Sequence, residues 1–103
     1  MSQQMSLRIF LFTACFIFFS AESFAGKLPS QAQTCAGCHG ENGISNNPLW
    51  PNLAGQKKLY LIKQIKDFKG KHRKDQLMTP MASTLSENDI EIIADYFSKL
   101  KGQ

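Results

Sequence analysis

Cys35-Ala36-Gly37-Cys38-His39 places two thiols three positions apart, with an imidazole directly behind the second. Dithiol exchange, zinc binding and thioether attachment of haem all use a Cys-x-x-Cys pair. A redox dithiol of the thioredoxin kind sits at a helix start beside a parallel sheet. Nothing downstream of Ala25 alternates apolar and polar residues as a strand does, so that setting is missing. A structural zinc ion takes four ligands, usually as two short-spaced pairs. Downstream of the cluster only His72 could complete such a set, and adjacent Cys38 and His39 are poorly placed to chelate one tetrahedral ion together. Haem attachment, by contrast, needs the histidine where it stands. Two thiols add across the two vinyl groups, two intervening residues on a helical turn set the sulfurs at that separation, and the next residue can bring Nε2 to the iron. The motif reads as one covalent haem c held by Cys35 and Cys38, with His39 as an axial ligand.

The segment from Met1 to Ala25 is of a different kind. Arg8 is the only charge before the apolar run from Ile9 to Phe19, and Ser23-Phe24-Ala25 offers small residues at its first and third places. This predicts a secretory signal peptide over 1–25, cut after Ala25 and taking Cys15 with it. A membrane span needs roughly 20 apolar residues, and Glu22 interrupts this run early. The domain expected is then Gly26 to Gln103, exported to the periplasm. A chain of that size buries only about 60–65% of its unfolded surface and usually needs a staple. One Cys-x-x-Cys bridge closes too small a loop to serve. A covalently held apolar disc would serve.

Helical periodicity fills the rest. Ser30 to Ala36 can form a short helix leading into the cysteines, and Gly40 to Asn52 reads as a loop rich in Gly, Asn, Ser and Pro. Gly55 to Phe68 carries Leu61, Ile65 and Phe68 at i, i+4, i+7, with Gly70 as a left-handed terminator. Ser86-Glu87-Asn88-Asp89 resembles a capping box, weakened by Asp in the place of Glu or Gln. Ile90, Ile93, Ala94 and Phe97 follow on one stripe, which Leu100 continues, and Lys99 and Lys101 sit at the end where cations are favoured. The fold class expected is all-α, three to four helices wrapped around the cofactor.

With Arg8 and Glu22 set aside, 11 Lys and Arg stand against 7 Asp and Glu. Lys57, Lys58, Lys63, Lys66, Lys69, Lys71, Arg73 and Lys74 follow one another closely, opposed in that stretch only by Asp67. Part of this run is the wet face of a helix; a one-signed face also steers acidic partners. Nucleic acid fits poorly, because the chain is read as exported and no aromatic platform accompanies the charge. His72, among Lys71, Arg73 and Lys74, reads as a solvated loop residue rather than an iron ligand. Trp50 reads as a wall of the cofactor pocket, and Tyr60, Tyr96 and Phe97 as core.

From Thr34 onward the sequence resembles the class I cytochromes c, specifically the short bacterial kind similar to one half of the dihaem periplasmic cytochromes. The resemblance rests on Cys35 to Gly40, Pro51-Asn52-Leu53-Ala54-Gly55-Gln56, Tyr60 to Phe68, Met78-Thr79-Pro80-Met81-Ala82, and Leu85-Ser86 leading into Asp95-Tyr96-Phe97. It implies single-electron transfer between redox partner proteins, by a soluble carrier or a subunit of an exported complex, and no enzymatic activity. It implies His/Met ligation, and a Pro51 carbonyl that accepts the Nδ1 hydrogen of His39 and raises its basicity. Met78 stands before Leu85 at a distance that matches the family's ligand spacing; Met81 is left as an apolar filler. Pro80 suggests that the segment is an extended strap. Little chain lies between Gly26 and Cys35, so the N-terminal helix is short and lacks the family's Gly and aromatic crossing with the last helix. The competing reading is a haem enzyme or gas sensor with an open sixth position. A third is an assembly subunit whose haem is incidental.

Overall fold

The computed structural model describes residues 13–18 and 26–103; the expected signal's basic start at Arg8 and its exit at Ala25 lie outside the described residues. A 3₁₀ turn over Ser30–Ala32 runs into α1 (Gln33–His39), followed by α2 (Lys58–Lys69), α3 (Met78–Ser83) and α4 (Glu87–Lys99). No strand occurs among the described residues, so the chain is all-α as the periodicity requires. None of the described helices is long and apolar enough to cross a membrane.

The last helix forms as its sequence dictates. Ser86 Oγ accepts from the Asp89 amide at 3.1 Å, and Asp89 Oδ2 accepts from the Ser86 amide at 2.9 Å, so the shorter carboxylate closes the box in full. The stripe Ile90, Ile93, Ala94 and Phe97 is buried. Ala32, Leu61, Ile93, Ala94 and Phe97 form the central cluster, with Leu53, Ile65, Leu85 and Leu100 packed around it. α2 packs against both α3 and α4, and the N-terminal turn lies on α4. That last contact is made by Ala32, which is wholly buried, so a small side chain lets the two elements approach without a glycine–aromatic pair.

Two local expectations are corrected. Gly70 closes α2 with φ −84°, and the left-handed residue is Lys71, at φ 60°. The amides of His72 and Arg73 both reach back to the Asp67 carbonyl, which delays the reversal by one residue. A Cβ at Gly70 would stand 3.0 Å from the exposed His72 ring, which would have to shift to admit it. The segment around Pro80 is a helix rather than an extended strap. Asp75 supplies the reason: its Oδ2 accepts from the amides of Leu77 and Met78, both at 2.8 Å, which starts a helical turn. Pro80 then falls in the first turns, where its missing N–H frees only the exposed Gln76 carbonyl from a helical bond.

Tyr60 is also corrected, being 48% exposed rather than core. Tyr96 is half-buried and its hydroxyl donates to the Glu41 carbonyl at 2.8 Å; Phe97 is fully buried.

The basic run is neutralised across helices, which its own stretch of sequence does not reveal. Lys58 pairs with Glu91 and Asp95, and Lys66 with Glu87 at 2.8 Å, so α2's cations meet the acids of α4. The Lys66 ammonium in turn holds the Glu87 carboxyl below its usual range. Lys63 pairs with Asp67, and Lys69 donates to the Leu85 carbonyl. Arg73 lies over the Phe68 ring, 4.6 Å from its centroid, and donates to Gln64. Lys57, Lys71 and Lys74 are exposed and make no ion pair among the described residues.

Candidate haem-binding site

Helix α1 begins and ends three residues later than the expected Ser30–Ala36 and so carries both cysteines and His39. On a helix, positions i and i+3 share a face, so Cys35 and Cys38 present their sulfurs to the same side. Both are free thiols, Cys38 exposed and Cys35 half-buried. Burial pushes the Cys35 thiol above its ordinary range, with the Cys38 thiol beside it adding to the effect. Gly40 ends the helix and opens the loop that folds back over it.

That loop positions the histidine. The Gly43 carbonyl accepts from the amides of Leu53 (2.8 Å) and Ala54 (3.0 Å), pinching the loop shut and bringing Pro51 over His39. His39 Nδ1 lies 2.8 Å from the Pro51 carbonyl oxygen, and the side chain is buried. A carbonyl only accepts, so Nδ1 is the donor here, and in the neutral ring Nε2 keeps its lone pair. Gly43 has φ 72°, and a Cβ there would come within 2.7 Å of the Ala54 amide nitrogen. We expect Gly43→Ala to lower stability by about 2 kcal/mol, because neither the backbone conformation nor Ala54 can yield cheaply. Thermal unfolding of the holoprotein measures this; an unchanged Tm would mean that the pinch is dispensable.

The remaining packing also fits a large apolar group. Of the ten buried hydrophobic residues among those described, five are alanines, leaving Leu61, Phe68, Ile90, Ile93 and Phe97 as the large ones. Leu49, Leu59, Tyr60, Leu77 and Met81 stay exposed, the first two by 86% and 79%. Trp50 is half-buried. A small core, apolar side chains left uncovered, and two free thiols with a buried imidazole on one helix fit a chain that takes up a haem. Met78 is half-buried at the start of α3 and Met81 is 39% exposed on the same short helix. His72 is exposed in the basic loop and packs near Gly70. Sequence reasoning passed over Asp75. Its signal was the pair Asp75 and Thr79 flanking Met78, a side-chain acceptor followed one helical turn later by a hydroxyl.

Residues 30–97 match the family model described as cytochrome C oxidase, cbb3-type, subunit III. Cytochrome c4 of Stutzerimonas stutzeri is 43% identical over 91 residues, covering 80% of this chain and 41% of that protein. Cytochrome c-554(548) of Halomonas halodenitrificans is 47% identical over 68 residues, covering 63% of this chain and 82% of that protein. The crystal structure of reduced recombinant cytochrome c4 from Pseudomonas stutzeri superposes with a TM-score of 0.61 at 38% identity, over 65% of this chain and 38% of that one. The chain thus spans about two-fifths of the cytochrome c4 relatives it matches. With one Cys-x-x-Cys-His in its sequence and an all-helical wrap around it, this chain belongs to the cytochrome c family and takes a single covalent haem c.

Proposed function

We propose that the chain is an exported, periplasmic electron carrier, or the cytochrome subunit of an exported redox complex, and that it is not an enzyme. The observation that carries the reading is the His39–Pro51 contact, which holds the imidazole in the tautomer that leaves Nε2 for iron. When bound, the haem supplies a one-electron ferric–ferrous couple. Cys35 and Cys38 would hold it as thioethers, and His39 and Met78 would be the side chains that ligate its iron. Two such protein ligands would leave no place at the metal for a substrate. The thioether and the apolar surroundings favour the reduced state. Support for Met78 over Met81 comes from its spacing to Leu85, its lesser exposure and its tethered amide.

Partners with acidic docking surfaces fit the unneutralised cations. Lys71 and Lys74 line one hollow with Asp75, Gln76, Thr79 and Pro80, at the entrance to the Met78 helix. Stopped-flow oxidation of the ferrous holoprotein by ferricyanide tests the carrier role with an anionic one-electron acceptor. We expect rapid single-phase oxidation. Reversal of both lysines (Lys71→Glu, Lys74→Glu) should slow it roughly fivefold at low ionic strength. The deficit should fade at ionic strengths where the Debye length is about 3 Å. Lys66→Glu should instead lower Tm, since it sets a carboxylate against Glu87. Rates that ignore Lys71 and Lys74 at low salt would reduce these lysines to a solvated face.

A further inference from the structure

We propose that Asp75 is a positioning residue for the axial thioether, gripping the backbone of Met78 so that its side chain is held at the metal. The inference rests on the assignment of Met78 as ligand. The Asp75 carboxylate accepts at one oxygen from the amides of Leu77 and Met78, both at 2.8 Å. The Asp75 carbonyl accepts from the Thr79 amide at 3.1 Å, and the Asp75 amide donates to Thr79 Oγ1 at 2.9 Å. Four hydrogen bonds thus close a ring around residues 75–79, with the proposed ligand inside it. The Met78 amide lies in the first turn, where no helical carbonyl is available, so without Asp75 it would turn to water. α3 has only six residues, too few to hold a helical conformation by itself. It packs on α2, and the Lys69 ammonium grips the Leu85 carbonyl just past its end. The segment is therefore latched at both ends, and the latch at the ligand's own amide is Asp75.

The geometry separates this role from general stabilisation. Ser86 caps α4 by accepting at Oγ from the Asp89 amide, while its own amide donates to the Asp89 carboxylate, and neither bond reaches the segment that bears the proposed ligand. Loss of either cap should lower Tm, whereas only loss of Asp75 should free the Met78 backbone to leave the metal. Exogenous imidazole competes with Met78 for ferric iron, so its affinity reads the hold on the ligand directly.

Imidazole is titrated into the ferric holoprotein and its variants, and binding is followed by the haem spectrum. Asp75→Ala should bind imidazole about fivefold more tightly than wild type, equivalent to about 1 kcal/mol of lost ligand tether. Asp75→Asn, which keeps a capping oxygen, should stay within about twofold of wild type. Ser86→Ala should lose Tm without changing imidazole affinity. Wild-type affinity in Asp75→Ala would overturn the proposal, as would Ser86→Ala gaining affinity equally, or Asn failing to rescue. The Met78 assignment fails separately, if Met78→Ala keeps the red absorption band of thioether-ligated ferric haem.

Discussion

Replacing both Cys35 and Cys38 with alanine abolishes covalent haem and leaves a chain without a cooperative unfolding transition: this is the largest effect we expect from any change in the molecule. Among the described residues the core is five large buried side chains and five alanines. A domain of this size is marginal even with a full core. Leu49, Leu59 and Leu77 remain exposed and add nothing to that core. The haem therefore acts as the staple that the absent disulfide framework would otherwise supply. Haem-specific staining of denaturing gels reads the attachment, and circular dichroism with thermal melting reads the fold. Recovery of a haem-free variant that melts cooperatively as a helical domain would remove the stapling account.

Met78→Ala comes next. The ferric protein should lose its red thioether band and admit external ligands. Its potential should fall by on the order of 100 mV, a fraction of the roughly 0.8 V that axial ligation spans. Met81→Leu should keep the band and the potential, and cost about 1 kcal/mol of packing. Both residues lie on one short helix, three apart, so they face the same general direction and composition does not separate them. Their environments do: Met78 is the less exposed, and its amide is bound by Asp75. The reverse pattern, with Met81→Leu losing the band and Met78→Ala retaining it, would move the ligand by one turn. A band that survives each single substitution would mean that either methionine can serve as the ligand.

The features legible in the sequence are those whose partners lie within one helical turn. Two thiols and an imidazole on one helical turn carry their chemistry wherever the helix goes, and so Cys35, Cys38 and His39 define the cofactor without a fold. The Ser86–Asp89 box closes within one turn, and the stripe from Ile90 to Phe97 follows from the helical period. The capping of Met78 by Asp75 was equally local; the preference of a residue before proline for extended backbone concealed it, and two amide bonds to one carboxylate outweigh that preference. Other features were set by the packing of distant segments. The lysines of α2 look unopposed along the chain, yet α4 lies beside them and brings Glu87, Glu91 and Asp95 into reach. Tyr96 finds the distant Glu41 carbonyl, and Ala32 meets Phe97 and Ile93 although no side-chain pattern announces it. A charge or a hydroxyl has no fixed partner until two helices are set side by side. That juxtaposition depends on burying one shared apolar face, so the local code could specify the haem while the tertiary structure decided which cations remain free to meet another protein.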